Sequence, residues 1–179
     1  MNMEQAMAYA KECGFEYMAP IDMEGLRFRE EVREMCTAEL CENYNTSWCC
    51  PPAIMPLEEF GALVMSYAQG LLVQTVGMLE DEFDYESLGA AGEKHRVEFV
   101  NFNDVMLENN EGESLSMSVG GCTLCEKCTY PDEPCCHPDK MIMSLGASGM
   151  LVNELCTKNG LEYNNGEKTI TFTSCCFFN

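Results

Sequence analysis

The sequence predicts an α/β (α+β) fold in which a mixed sheet of about four or five strands is flanked by helices. Two observations lead to this prediction. Segments with helical patterns and segments with strand patterns alternate along the chain, as they do when helices pack on a sheet. The 179 residues, 46% of them hydrophobic, can bury one sizeable core but would be cramped as two domains. We therefore expect residues 1–179 to form a single domain, with two cysteine-rich metal-binding loops meeting at one end of the sheet.

The N-terminal segment predicts a helix, a strand and a solvated connection. Apolar residues recur at helical spacing over residues 3–13, and Gly14 stands where a left-handed cap would end such a helix. Residues 15–19 have the composition of a strand. Charges alternate densely over residues 22–34, so we expect no buried element there.

The middle of the chain predicts two helices around a buried strand. Pro56 at a first helical position, with acidic residues directly after it and apolar residues on one face, predicts a helix that ends near Gly70. Residues 71–76 form an apolar run typical of a buried strand. Residues 80–86 are expected to be an acidic loop, and the apolar spacing over residues 93–108 favours a helix over a strand.

The C-terminal part predicts a strand, a helix and a hairpin. Residues 115–119 are expected to form a strand that delivers the chain to the second cysteine group. Residues 151–160 carry a helical apolar face that ends at a glycine. The Asn-Asn-Gly sequence at 164–166 predicts a turn joining two short strands, residues 161–163 and 169–173.

Cysteine content and charge narrow the function classes. The thirteen cysteines are odd in number and the N-terminus lacks the apolar run of a signal peptide, so we expect metal-binding thiols in a reducing cytoplasm rather than disulfides. The net charge of −20 would repel phosphate backbones and anionic lipid surfaces. No apolar run approaches the roughly 20 residues of a membrane span. We therefore expect neither nucleic acid nor membrane as a partner.

The densest cysteine group lies in residues 121–138 and predicts a metal site. It begins with Cys-x2-Cys-x2-Cys, the spacing with which bacterial ferredoxins bind iron-sulfur clusters, whereas zinc usually takes its ligands as two separated pairs. The gap to the next cysteine is six residues rather than three, so the spacing favours a cluster without assigning the fourth ligand. The candidate ligands of this second group are Cys122, Cys125, Cys128 and Cys135.

A first cysteine group precedes it, in residues 36–52, and ends in Trp-Cys-Cys-Pro-Pro. The two prolines exclude helix and central strand, and the tryptophan can shield a metal site from water. The alternative is a buried loop packed by Trp48 and Tyr44 without metal. The candidate ligands of this first group are Cys36, Cys41 and Cys50.

Three ligands leave the first group incomplete. Cys49 is adjacent to Cys50, and neighbouring side chains of an extended loop point apart, so we expect Cys49 not to bind the same ion. The remaining position is then filled by a ligand other than cysteine or by a substrate.

Hydrolytic and nucleotide-binding motifs are absent. His95 and His137 are the only histidines, and neither has a recognisable nucleophile as partner in the sequence. The chain has no glycine-rich phosphate loop and lacks the Cys-x3-Cys-x2-Cys spacing of radical enzymes. A hydrolase is therefore not expected, and no catalytic residue is assigned.

Together the two cysteine groups resemble a bacterial and archaeal family called predicted metal-binding proteins, the domain of unknown function 2284. The first family signature is Cys-x4-Cys, a turn with tyrosine and Cys-Pro-Pro, which falls on Cys36, Cys41, Tyr44, Cys50, Pro51 and Pro52. The second is Cys-x2-Cys-x2-Cys, Cys-Arg-x-Pro and a helix start with serine, and it falls on Cys122, Cys125, Cys128, Cys135, Pro138, Ser144, Gly149 and Val152.

The resemblance covers most of the chain and implies metal binding at the seven signature cysteines. The sequence departs from the signature at two positions. Cys136 stands where the family has arginine, and Gly146 stands where it has glutamate, so no role of those two side chains carries over.

Two functions from different classes follow from these residues. In the first, the protein is a redox or electron-transfer protein with one or two 4Fe-4S clusters, whose partner is a redox protein or, at an open iron, a small-molecule substrate. In the second, the same cysteines bind zinc in a structural module or metal carrier, with Cys122 and Cys125 completed by the other two cysteines of their group or by Cys36 and Cys41. Enzymatic activity and oligomeric state stay open at this point.

Overall fold

The computed structural model describes residues 1–37, 39–110 and 114–179. In these residues one mixed sheet has five strands in the order β1-β2-β5-β3-β4. Neighbouring strands are antiparallel except β3 and β4, which are parallel. This confirms the predicted α+β fold with a mixed sheet. The strands are β1 (Tyr17–Pro20), β2 (Gln69–Met78), β3 (Ser114–Ser118), β4 (Met143–Ser144) and β5 (Thr169–Phe178).

Five α-helices accompany the sheet within the described ranges. The first begins at a capping box, in which the Asn2 side chain accepts from the Gln5 backbone N–H and the Gln5 side chain accepts from the Asn2 backbone. Gly14 follows this helix with a positive φ of 110°, as the sequence predicts. The helices are α1 (Met3–Glu12), α2 (Glu30–Arg33), α3 (Leu57–Met65), α4 (Tyr85–Asn109) and α5 (Val152–Lys158).

The sheet separates two layers of core, because alternate residues of a strand face opposite sides. On one side, α1 and α4 cover the sheet, and Phe99 and Phe102 of α4 pack with Leu71 of β2. On the other side, α3, α5 and the cysteine loops cover it, and Cys49 and Cys50 belong to that core cluster. The first cysteine loop is therefore anchored in the core rather than attached to the surface.

The second cysteine loop begins at a turn that follows β3. β3 ends at Ser118, and Gly120 and Gly121, which follow after one residue, both have positive φ, of 76° and 93°. Glycine adopts this conformation without the steric penalty of other residues. The chain turns there and enters the cysteine loop at Cys122.

Two sequence predictions are wrong. Residues 161–163 are not a strand, and β5 pairs instead with β2 along its whole length and with β3 at its C-terminal end, so the hairpin does not form. The segment 22–34 is not merely solvated, because it contains α2 and buries Leu26 and Val32. The helix predicted over residues 93–108 is confirmed and begins earlier, at Tyr85.

No helix in the described part of the chain is both long enough and apolar enough to cross a bilayer.

Candidate metal centre

The three cysteines of the first group line one cavity of about 290 Å³. Cys36 and Cys41 lie in the turns after α2, where the backbone N–H of Cys36 donates to Arg33 and that of Cys41 donates to Thr37. Cys50 approaches the cavity from the turn that precedes the two prolines. Among the lining residues that the structure describes, no further cysteine, histidine or carboxylate accompanies these three thiols.

A half-buried arginine lies beside this group. Arg33 is stacked over the Phe60 ring at 5.5 Å, and its Nη1 donates to the Met55 carbonyl at 3.1 Å. Its Nε and Nη2 are buried without a hydrogen-bond partner among the described residues. Burial lowers the pKa of Arg33, and the nearby Cys36 thiol raises it. A negatively charged thiolate centre at Cys36 would complement this guanidinium, so the donor set fits an anionic metal-thiolate group.

Arg33 in turn affects the pKa of the Cys36 thiol. Burial raises its pKa most, the neighbouring Cys41 raises it further, and Arg33 lowers it. The effect of Cys41 on Cys36 shows that the two thiols are close in space, as ligands of one centre must be.

The second group surrounds a smaller cavity of about 40 Å³. Burial raises the pKa of Cys125, and thiols of its own loop raise it further, Cys136 before Cys122 and Cys135. Cys136 and His137 are exposed at the edge of this cavity. The cysteines that line it are Cys49, Cys122, Cys125, Cys128, Cys135 and Cys136.

Cys49 and Cys50 join the two groups. The expectation that their side chains point apart is wrong, because residues 48–49 lie in a turn rather than an extended strand, and the two Sγ atoms are 3.8 Å apart. The two thiols share a hydrogen bond, and this contact lowers the pKa of Cys50. The same contact and burial raise the pKa of Cys49. Cys50 lines the first cavity and Cys49 lines the second.

Further contacts hold the two cysteine loops together. Trp48 packs edge-on against Tyr130 at 4.9 Å, and its Nε1 donates to the Glu133 carbonyl at 3.1 Å. Tyr130 donates through its hydroxyl to Asn45 Oδ1 at 2.6 Å. Trp48 thus contacts the second loop, and Tyr130 rather than Tyr44 is its aromatic partner.

The seven predicted ligands are not gathered at bonding distance. In residues 1–37, 39–110 and 114–179, no three side chains of cysteine, histidine, aspartate or glutamate form a group that could hold a metal ion. The thiols line two adjoining cavities instead. The ligand assignment therefore stays a prediction.

His95 is buried in the core and lines neither cysteine cavity, although it shares another cavity with Gly121 and Thr123 at the start of the second loop. Its Nδ1 is 2.8 Å from Thr75 Oγ1 and its Nε2 is 2.7 Å from Ser174 Oγ. Ser174 has no exposed surface and donates to Ser118 Oγ at 2.8 Å. A substrate cannot reach this serine. His95 and Ser174 are therefore part of a buried polar network and do not form a base and nucleophile pair.

Sequence reasoning missed two residues of the site. The sequence shows a cysteine at position 49, but the position of its side chain in the site depends on a hydrogen bond with Cys122, which is 73 residues away in sequence. Arg33 lies in a charge-rich segment whose pattern gives no sign of a buried guanidinium. Only the spacing of three residues between Arg33 and Cys36, one helical turn, could have suggested a contact.

Comparison with known proteins gives one result. A family model described as predicted metal-binding protein (DUF2284) matches residues 19–178, which include both cysteine loops and nearly the whole sheet. Searches of curated proteins and of solved structures found no match. Since the family model spans most of the chain, the protein belongs to the DUF2284 family of predicted metal-binding proteins.

Proposed function

We propose that this protein is an iron-sulfur redox or electron-transfer protein that carries one or two 4Fe-4S clusters. The second-group cysteines would ligate one cluster, and the three first-group cysteines would supply ligands to another. The Cys-x2-Cys-x2-Cys spacing supports a cluster over a single zinc ion, because zinc ligands usually come as separated pairs.

The first cavity carries the proposal. Three thiols line about 290 Å³ of space without a fourth cysteine among the described lining residues. A single ion would leave most of this volume unfilled, whereas a polynuclear centre together with a small molecule suits it. The half-buried guanidinium of Arg33, with two buried nitrogens that have no partner among the described residues, adds positive charge beside Cys36 and favours an anionic centre there.

The residues around this cavity could also receive a small molecule. A cluster held by three cysteines offers one iron as a Lewis acid when it is bound. Asn43, Tyr44 and Thr173 line the same cavity and supply polar groups that could orient a ligand there. An enzymatic role for the protein would depend on this open position.

Zinc binding in a structural module or metal carrier is the second candidate. One observation favours it: the cavity among the second-group cysteines is about 40 Å³, which suits a single ion. Visible absorption separates the two candidates. Protein purified without oxygen should be brown if it holds clusters and colourless if it holds zinc.

Electron paramagnetic resonance of the reduced protein tests the open site. Addition of a small thiol or a small carboxylate should change the signal of the first-group cluster and leave the signal of the second-group cluster unchanged. A spectrum in which neither signal responds, with every iron bound by cysteine, would rule out the open position and leave an electron carrier.

A further inference from the structure

Cys49 belongs to neither signature, yet it is the most buried thiol of the two loops, with 1% of its surface exposed. It lines the second cavity beside the predicted ligands of that group. Cys135 and Cys136, which line the same cavity, are partly and fully exposed. The most buried thiol of the second cavity is thus contributed by the first loop.

Neighbouring groups hold Cys49 Sγ in position as a hydrogen-bond acceptor. The backbone N–H of Cys122 donates to it at 3.1 Å, and Ser47 Oγ is 3.3 Å away. The carbonyl of Cys49 accepts from the Ser144 N–H at 3.2 Å, which fixes its backbone against β4. Hydrogen bonds from backbone N–H groups to cysteine sulfur are also a feature of iron-sulfur sites, where they tune the cluster.

Gly121 leaves the space that this sulfur occupies. A Cβ at Gly121 would lie 2.9 Å from Cys49 Sγ and 3.5 Å from Cys50 Sγ. The second loop therefore starts with a residue whose lack of a side chain admits both sulfurs of the first loop. The contact is selective, because a Cβ at neighbouring Gly120 would meet no atom within 4 Å.

We propose that Cys49 is a metal ligand of the second centre, and that the Cys49-Cys50 dipeptide connects the two centres. The inference rests on the proposed metal binding and assigns Cys49 to the fourth ligand position of the second centre. Cys49 would complete the set begun by Cys122, Cys125 and Cys128, for which the six-residue gap before Cys135 leaves the last ligand unassigned. With their sulfurs 3.8 Å apart, Cys49 and Cys50 hold the two centres close enough to interact magnetically.

Metal content of the full chain tests this assignment. Cys49→Ser and Cys49→Ala should lower the metal bound per chain to about half, because the second centre is lost and the first retained. Cys156→Ser is the matched control: Cys156 is another buried thiol with hydrogen-bond partners, Gln74 and Thr173, and it lines neither cavity. Circular dichroism of the three variants checks that each is folded.

The magnetic interaction gives a second readout. Reduced wild-type protein should show a signal broadened or split by coupling between two centres, and Cys49→Ala should show the uncoupled signal of the first centre. Folded Cys49 variants with wild-type metal content and an unchanged spectrum would overturn the assignment. The metal content of the wild-type protein distinguishes this inference from the proposed function. If the wild type holds zinc instead of iron, the proposed cluster is refuted, but loss of zinc in Cys49→Ala still supports Cys49 as a ligand. Wild-type protein without metal overturns both proposals.

Discussion

Position in the fold divides the cysteines of this chain into those that line the two cavities and those that do not. Cys156, Cys175 and Cys176 lie in the core, and burial raises the pKa of all three thiols, that of Cys176 to about 12. None of these three thiols lines either of the two cavities. We therefore expect metal binding at the cysteines of the two loops.

Substitution of Cys125 tests the second group directly. Cys125→Ser should release metal and lower the free energy of unfolding by several kcal/mol, because metal binding and the order of this long loop are coupled. Cys13→Ser is the control, since Cys13 follows α1 and lines neither cavity. Metal analysis and thermal unfolding of both variants make the comparison. Equal metal loss in the two would show that the ligand assignment is wrong.

His95 should make stability depend on pH between about 4 and 6.5. Burial lowers its pKa from 6.5 to about 4, so the unfolded chain binds a proton in this range that the folded chain does not. Stability is complete above the upper limit and falls as the pH drops toward the lower one, by a total on the order of 3 kcal/mol. Urea unfolding at several pH values measures the effect.

His95→Gln provides the comparison for that titration. Glutamine has no proton to gain over this range and can keep a hydrogen bond to Thr75 or Ser174. The variant should be less stable at neutral pH but should lose the additional pH dependence. If wild-type and variant stabilities fall in parallel between pH 6.5 and 4, another group controls this titration.

At the scale of whole elements, local patterns predicted the helices well and the pairing of strands poorly. The apolar patterns predicted the buried strand β2 and most of the long helix α4, but not the start of α4 at Tyr85. The hairpin prediction failed because β5 has its partners in β2 and β3, far away in sequence, and no local turn signal encodes such pairing. The spacing of cysteines indicated which loops to consider, but the contact between Cys49 and Cys122 depends on the folded sheet.

The Gly-Gly turn after β3 gives a prediction for the junction between the two loops. Gly121→Ala should reduce metal incorporation and destabilise the fold by about 1–3 kcal/mol more than Gly120→Ala, because only the former drives a Cβ into Cys49 Sγ. Both positions have positive φ, so backbone strain is common to the two variants. Metal analysis and urea unfolding compare them. Equal effects would mean that the sulfur is not held against Gly121.

Over the whole molecule, negative charge dominates, and ion pairs do little to offset it. The 30 acidic residues outnumber the 10 basic ones, and pairs such as Arg29 with Glu154, at 2.8 Å, lie at the surface, where they contribute little. The resulting field opposes the addition of an electron to any bound cluster. It also favours a redox partner with a basic surface, since opposite charges speed encounter.

The reduction potential of a bound cluster should therefore rise with ionic strength. Added salt screens charges beyond roughly 10 Å and removes much of the repulsion that the acidic surface exerts on the incoming electron. Redox titration of the protein at low and high salt measures the shift. If the reduction potential is the same at low and high salt, groups next to the centre, above all Arg33, control it instead.

Quantification of iron, acid-labile sulfide and zinc in anaerobically purified protein tests the central claim most directly. The proposed function predicts iron and sulfide in equal amounts and no stoichiometric zinc, because a 4Fe-4S cluster contains the two elements one to one. Stoichiometric zinc without sulfide would contradict it and assign the cysteine loops to zinc.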